Sequence, residues 1–134
     1  MQDSLQDKYP GAASWAFGDT PQMADELVAL VINGAKTATC SAFSSYQPHE
    51  PLPQIGSYNI VLDGAGAPAC VTRTISLRMI RFSDVTQALA EKEGEGDLSL
   101  GYWQREHQAF FARGGTFSED MELIFEEFAL VEVF

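Results

Sequence analysis

The sequence has few basic residues. Of its 134 residues, eight are Lys or Arg and nineteen are Asp or Glu, which gives a formal net charge of −11 at pH 7. Proteins that hold long nucleic acids by their phosphates need clustered Lys and Arg. The charge therefore argues against a long nucleic acid as partner. If a nucleic acid binds, we expect a small ligand or a short single-stranded piece in one pocket.

Cysteines and long apolar runs are also scarce. The two cysteines, Cys40 and Cys70, are too few and too far apart to form a disulfide framework. No basic segment leads into an apolar one at the N-terminus, and no apolar run approaches the roughly 20 residues that span a bilayer. These absences predict a protein without a membrane partner in a reducing, cytoplasmic setting.

Paired metal ligands and phosphate-binding loops are missing as well. Cys40, Cys70, His49 and His107 lack the paired spacing of zinc ligands, so we expect no metal and no cofactor. His107 lies on an apolar helix face, where a histidine satisfied within the core is the ordinary interpretation. The glycines of stretch 94–97 lie among acids after a helix, unlike those of a phosphate loop.

The remaining pattern predicts one α+β domain over residues 1–134. The order of elements lacks repeated βαβ units, which favours a small mixed, mostly antiparallel β-barrel with flanking helices. The predicted elements are helices over 20–33, 83–90 and 98–113, strands over 36–41, 58–62, 69–82 and 121–134, and a proline-rich loop over 44–54.

One lysine lies among small and hydroxyl-bearing residues where the first predicted helix ends, in the stretch Asn33-Gly34-Ala35-Lys36-Thr37-Ala38-Thr39-Cys40-Ser41. Such an amine can bind an anion or a carbonyl, or activate a hydroxyl nucleophile. Strict strand alternation separates Lys36 from Thr39, whereas one turn-like step brings them together. Lys36 acts as a base only if burial lowers its pKa, and a close carboxylate opposes that shift.

Two further groups have both a structural and a functional interpretation. Tyr9, Trp15 and Phe17 form either an aromatic lid on the core or a stacking surface for a planar ligand. Arg73 and Arg81 share one face of the strand over 69–82 if no bulge intervenes, and they form either surface ion pairs or ligand contacts.

Several stretches together resemble the ASCH domains of the PUA-like superfamily, in their longer bacterial form. Gly34-Ala35-Lys36-Thr37-Ala38-Thr39 is similar to a Gly-x-Lys-Thr-x-Thr signature. Residues 15–19, 90–103 and 117–128 resemble further blocks of these proteins in the same order. The resemblance implies a small PUA-like β-barrel with flanking helices and a cleft under the lysine motif.

The resemblance also implies a function. The family is thought to bind RNA or modified nucleosides, so the expected partner is a small nucleoside or a short single-stranded RNA. Some smaller members hydrolyse the amide of N4-acetylcytidine with a lysine, a threonine and a glutamate. By motif position these roles fall on Lys36, Thr39 and Glu93, with Glu91 or Glu95 as alternatives to Glu93.

In the hydrolytic hypothesis, Thr39 attacks the acyl carbonyl, Lys36 takes and returns the proton, and Glu93 positions the lysine or the exocyclic amine. The alternatives are a non-catalytic RNA-binding module and a metal-dependent ribonuclease, an activity reported for other members. Cys40-Ser41 departs from the compact hydrolases, which carry a bulky apolar residue and an arginine there. The candidate ligand-binding residues are Gly34, Thr37, Trp15, Phe17, Arg73 and Arg81.

Overall fold

A computed structural model describes residues 5, 7–46 and 52–134, and it has the predicted mixed α+β architecture. His49 and part of the predicted loop over 44–54 lie outside the described residues. The strands are β1 (Ala13–Ala16), β2 (Ala38–Ala42), β3 (Tyr58–Leu62), β4 (Pro68–Arg81) and β5 (Glu122–Val133), and the helices considered below are α1 (Pro21–Ile32), α2 (Gln87–Glu93) and α3 (Leu100–Arg113).

The five strands form one curled sheet in the order β1-β3-β4-β5-β2. Strand β1 runs parallel to β3, and the other pairings are antiparallel, which confirms the mixed, mostly antiparallel sheet. Strands β1 and β2 are therefore the two edges of a half-barrel. Within the described residues, each of these edge strands pairs with one strand only.

The sheet is covered by helices on its two sides. Buried apolar side chains form the contacts, and a fully buried Leu, Val or Phe stabilises the fold by about 1.5–3 kcal/mol. The cluster between the sheet and helices α2 and α3 includes Ala38, Ala42, Leu89, Trp103, Phe111, Leu123 and Phe125; the cluster between the sheet and α1 consists of Phe17, Val28, Val31, Val61, Cys70 and Phe128. No helix in the described ranges combines the length and the apolar character needed to cross a membrane.

Helix α1 begins and ends where the sequence predicts. The Thr20 hydroxyl accepts a hydrogen bond from the Met23 N–H at 3.1 Å, and Pro21 is the first helical residue. Asn33 is the C-cap, and Gly34 follows with a φ of +88°, a left-handed conformation that glycine adopts without strain. The cap directs the chain out of the helix and into the lysine stretch.

Helix α2 differs from its prediction. A helix capped by Ser83 or Asp84 and ending at Ala90 was expected, followed by a flexible acidic turn. Instead, Thr86 accepts from the Leu89 N–H, and the helix runs to Glu93, where Gly94 closes it with a φ of +70°. Residues 91–93 of the charged stretch are thus helical, because a good N-cap and a left-handed glycine define a later helix.

Strand β4 carries a bulge at Ile75, which has no counterpart where the register with β5 shifts between Thr74 and Ser76. Strict alternation therefore does not hold between Arg73 and Arg81. The shared face expected for Arg73 and Arg81 required an unbulged strand, and that condition fails.

Candidate functional site

A cavity of about 550 Å³ lies between α1, α3 and the lysine stretch. Its wall contains all three predicted catalytic residues, Lys36, Thr39 and Glu93, together with Phe17. An adjoining cavity of about 510 Å³ is lined by residues of both edge strands and shares Phe17 and Thr39 with the first. The opening of the half-barrel therefore continues into the lysine site.

Backbone hydrogen bonds hold the lysine stretch between β5 and the end of α2. The Thr37 N–H donates to the Lys92 carbonyl at 2.8 Å, and the Thr37 hydroxyl donates to the same oxygen at 3.2 Å. The Thr37 carbonyl accepts from the Phe128 N–H at 3.0 Å. The Lys36 N–H donates to Leu30 of α1 at 3.0 Å. Lys36 is thus fixed at a junction of three elements.

Gly94 allows the end of α2 to approach this stretch. A Cβ atom at Gly94 would lie 2.1 Å from the Ala35 carbonyl oxygen and 2.8 Å from the Lys36 nitrogen. Only a residue without a side chain permits such contact between two backbones. The glycine places Glu93, the last residue of α2, beside Lys36.

The Lys36 side chain is buried between two carboxylates, with only 2% of the residue exposed. Its Nζ lies 2.6 Å from Glu95 Oε2 and 3.4 Å from Glu93 Oε1, and it donates to the Glu93 carbonyl at 3.3 Å. The ring centre of Phe17 is 5.4 Å from Nζ. Both Glu93 and Glu95 therefore face Lys36, whereas exposed Glu91 accepts from Gln87.

The surroundings of Lys36 keep its amine charged in the free protein. Burial alone lowers the pKa of the amine, but Glu93 and Glu95 outweigh burial, and the net pKa is raised. Lys36 is consequently an ammonium at neutral pH. In this state it can donate to a carbonyl or an anion but cannot accept a proton.

Glu93 is ionised although only 1% of the residue is exposed. Burial opposes its ionisation, but Lys36 and His107 favour it more strongly and lower the pKa of Glu93 to about 2. The indole Nε1 of Trp103 donates to Glu93 Oε2 at 2.6 Å, and His107 Nε2 lies 3.3 Å from Oε1. Both carboxylate oxygens are therefore held in place.

His107 is a histidine satisfied by its neighbours, as the sequence predicts, and it also lies in the wall of the candidate site. It lines the cavity, stacks on Trp103 with ring centres 4.2 Å apart, and donates from Nδ1 to the Trp103 carbonyl at 2.9 Å. Burial lowers the pKa of His107, Glu93 raises it more, and the net pKa is raised. The sequence signal that could have placed His107 in the site was its i, i+4 spacing from Trp103 on a helix that follows an acidic stretch.

Thr39 lines both cavities but lies on the opposite face of β2 from its neighbour Cys40. Cys40 packs toward the helices, whereas Thr39 is paired with Glu126 of β5. Strict strand alternation directs the side chains of Lys36 and Thr39 to opposite faces. Both nevertheless line the first cavity, because both faces of the edge strand β2 border the opening of the half-barrel. Within the described ranges, the Thr39 hydroxyl makes no hydrogen bond to another residue.

Cys40 is half-buried in the same wall. Burial raises the pKa of its thiol well above the ordinary value, and the negative charge of Glu93 adds to the shift. The Cys40 sulfur, a Glu93 oxygen and a His107 nitrogen lie within 4.8 Å of one another. Three residues from separate elements, β2, α2 and α3, thus converge on one point.

Of the predicted ligand-binding residues, the structure brings the aromatic pair to the cavities. Phe17 lines both, and Trp15 lines the second, with their ring centres 4.8 Å apart in a T-shaped arrangement. The Trp15 indole donates to Asn59 Oδ1 at 3.3 Å. Tyr9, the third member of the predicted group, packs instead in a separate cluster with Ile60.

The other predicted ligand-binding residues, Gly34, Thr37, Arg73 and Arg81, are not among the described residues that line the two cavities. The Arg73 Nε donates to the Gly56 carbonyl at 3.1 Å, and its guanidinium lies 5.1 Å from the centre of the Tyr58 ring. Arg81 is exposed at the end of β4, in register with Glu122.

Carboxylates dominate the charge around the first cavity. Besides Glu93 and Glu95, the wall includes Asp19, Glu26 and Glu106. The only non-histidine cations among its described lining residues are Lys36 and Arg113, and each is paired with an acid. The Arg113 guanidinium contacts Asp19 at 2.9 Å.

Comparisons with known proteins agree with this architecture. The sequence profile of the ASCH domain matches residues 13–132. Protein EF3133 of Enterococcus faecalis V583 is 33% identical over 98% of this chain and 86% of its own, with a TM-score of 0.85. An ASCH domain from Lactobacillus crispatus JV V101 is 34% identical over 96% of this chain and 85% of its own, also with a TM-score of 0.85.

A less similar solved structure shares only the fold with this chain. The hypothetical protein PH0355 is 12% identical, with a TM-score of 0.58 over 88% of this chain and 99% of its own, which shows a shared fold alone. No protein of curated function matches the sequence. The curled sheet and its helices agree with a PUA-like fold. Because the profile covers 120 of 134 residues (13 to 132), the chain belongs to the ASCH domain family.

Proposed function

We propose that the 550 Å³ cavity binds a small, uncharged modified nucleoside and hydrolyses an N4-acyl amide on its base, as in N4-acetylcytidine. The observation that carries the proposal is the pairing of two groups in one wall. Lys36 is a buried ammonium held by Glu93 and Glu95, and Thr39 offers a hydroxyl with no partner among the described residues.

The cavity favours a ligand without a phosphate. Its volume lies in the usual range for small-molecule sites. A phosphate would face the carboxylates of Glu26, Glu95 and Glu106 and would find Lys36 and Arg113 already paired. A planar base, by contrast, can contact the Phe17 ring. Charge and shape thus support a nucleoside over a nucleotide or a long RNA.

The charge of Lys36 supports a defined role in the reaction. When Thr39 attacks the acyl carbon, negative charge develops on the carbonyl oxygen. Once Lys36 holds the proton that it takes from Thr39, its ammonium lies in a dry site and stabilises that charge strongly. Lys36 is held in place by Glu93 and Glu95 before the ligand arrives, so little reorganisation is needed.

The proton of Thr39 needs an acceptor, and charged Lys36 cannot take it. A bound ligand excludes water, and in a dry site a neutral lysine–carboxylic acid pair costs less than the ion pair. Lys36 then passes one proton to Glu95, accepts the Thr39 proton, and returns it to the leaving cytidine amine. The acyl group becomes an ester on Thr39, and water hydrolyses the ester to the free acid.

The test is the release of cytidine from N4-acetylcytidine, followed by chromatography. Lys36→Met and Thr39→Val are expected to lower kcat/KM by at least a hundredfold, which is about 2.7 kcal/mol of transition-state stabilisation. Thr39→Ser retains a hydroxyl and is expected to keep measurable activity. Lys92→Met removes an exposed lysine paired with Glu127 and serves as the control. Equal turnover by wild type and Thr39→Val would exclude the mechanism.

A binding role without turnover is the second candidate, and the raised pKa of Lys36 favours it. An ammonium can donate to a base carbonyl without any chemical step. This role predicts saturable binding of cytidine or N4-acetylcytidine by calorimetry, weakened by Lys36→Met, with no product after long incubation. Product formation that depends on Thr39 would decide for hydrolysis.

A further inference from the structure

We propose that Cys40, Glu93 and His107 form a binding site for a thiophilic divalent cation, with Zn²⁺ as the best-suited ion. One ligand-capable atom from each residue lies within 4.8 Å of the others. A thiolate, an imidazole and a carboxylate are the donors that zinc takes in proteins. The site is separate from the Thr39 hydroxyl but shares Glu93 with Lys36.

Hydrogen bonds outside the cluster orient two of its ligands. His107 donates from Nδ1 to the Trp103 carbonyl, so Nε2 is the nitrogen directed at Glu93. The Trp103 indole holds Glu93 Oε2 at 2.6 Å, which leaves Oε1 toward the cluster. Metal-binding histidines and carboxylates characteristically have such outer partners, which fix the ring orientation and the tautomer.

The geometry requires a modest contraction. Bonds of about 2.0–2.3 Å in a tetrahedral site place neighbouring ligand atoms roughly 3.3–3.6 Å apart. His107 Nε2 and Glu93 Oε1 are already 3.3 Å apart. The Cys40 sulfur, within 4.8 Å of the other two ligand atoms, must approach by at most about 1 Å, which side-chain rotation can supply. Cys40 and His107 are both half-buried in the wall of the 550 Å³ cavity. The cavity gives an ion access and leaves room for water as a fourth ligand.

The charges balance once the metal is bound. Zinc takes cysteine as the thiolate, so binding releases the proton of the Cys40 thiol to solvent. The metal and Lys36 then oppose the negative charges of Cys40, Glu93 and Glu95, and the total is zero.

Metal and Lys36 compete for the same oxygen of Glu93. Lys36 is 3.4 Å from Glu93 Oε1 but 2.6 Å from Glu95 Oε2, so it can leave the first and keep the second. An occupied site therefore separates Lys36 from Glu93. If the proposed hydrolysis is correct, Zn²⁺ inhibits it, and this consequence rests on the proposed function, whereas metal binding does not.

The experiment is a titration of the reduced, metal-free protein with Co²⁺, which reports its ligands by absorption. We expect saturation at one ion per chain, a thiolate-to-cobalt charge-transfer band, and displacement by Zn²⁺. Cys40→Ser is expected to remove the band, and His107→Gln to weaken binding at least tenfold. Cys70→Ser, at the second and fully buried cysteine, leaves the band and the affinity unchanged.

Two results would overturn the proposal. One is the absence of a saturable charge-transfer band in the wild-type protein. The other is a band that survives Cys40→Ser in a variant whose circular dichroism shows it to be folded. Because the spectrum requires no substrate, a failure of nucleoside hydrolysis leaves this test intact.

Discussion

At the scale of residues, the site is a group of mutually neutralised charges. The Lys36 ammonium lies between the carboxylates of Glu93 and Glu95, and Glu93 also contacts the His107 ring. A buried ion that loses its partner is costly, because its desolvation is no longer offset. Lys36 and Glu93 are among the largest fully buried side chains of the described chain. The arrangement thus contributes to folding as well as to chemistry.

This coupling predicts the effect of Glu93→Gln on stability. The substitution leaves Lys36 with Glu95 alone and removes the anion beside His107, so we expect the free energy of unfolding to fall by about 3–5 kcal/mol. Urea denaturation at neutral pH measures it. Glu91→Gln, at an exposed position on the same helix, is the control and should change stability by less than about 0.5 kcal/mol. Similar values for the two variants would contradict the account.

At the scale of elements, the junction of α2 with the lysine stretch creates the site. The sequence predicted both segments, and the resemblance of its motif singled out Glu93. The sequence did not predict that α2 reaches Glu93 or that Gly94 contacts the Ala35 backbone. A close approach between backbones depends on tertiary packing, and a glycine in an acidic run looks the same whether it serves a flexible turn or a helix cap.

Gly94→Ala tests the junction. The new Cβ meets the Ala35 carbonyl and also imposes a left-handed conformation on alanine. Gly115→Ala is a matched control, because Gly115 has a φ of +76° and nothing within 4 Å of the added atom. We expect about 1 kcal/mol of destabilisation in the control and at least about 2 kcal/mol in Gly94→Ala. Equal effects in thermal unfolding would show that the close approach is unimportant.

The strands also carry a buried polar chain. Trp15 donates to Asn59, Asn59 Nδ2 donates to the Thr74 hydroxyl at 3.2 Å, and that hydroxyl donates to Glu126 Oε2 at 2.6 Å. Burial raises the pKa of Glu126, and the Thr74 hydrogen bond only partly opposes it. The chain therefore links β1, β3, β4 and β5 and ends at the residue paired with Thr39.

The raised pKa of Glu126 predicts a pH-dependent stability. Its favourable contribution is complete below the unfolded value of 4.5 and is lost as the pH rises through the folded value. Glu126→Gln keeps an oxygen for the Thr74 hydroxyl and removes the ionisation. We expect the variant to match wild type below pH 4.5 and to gain relative stability as the pH rises, by denaturant unfolding.

The control for this comparison is Glu122→Gln, at an exposed position on the same strand. It should show no comparable gain with pH. A stability difference between wild type and Glu126→Gln that stays constant from pH 4 to pH 8 would contradict the raised pKa, since the linkage requires a slope.

At the scale of the whole molecule, the half-barrel places the cavity where its two edge strands and its helices meet. The order of the helices and strands from α1 onward was predicted from periodicity and caps, as Thr20, Pro21 and Gly34 show for α1, whereas β1 was not predicted. The cluster of Cys40, Glu93 and His107 was not, because its members lie on β2, α2 and α3, and only the fold brings them together. Arg73 was expected near a ligand, and its side chain contacts Gly56 and Tyr58.

The most direct measurement is a crystal structure of Thr39→Val with N4-acetylcytidine, since this variant cannot form the ester. The account predicts the nucleoside in the 550 Å³ cavity, with its acyl oxygen within hydrogen-bonding distance of Lys36 Nζ and its base against Phe17. A nucleoside bound elsewhere, or an empty cavity at a saturating concentration of the compound, would contradict it.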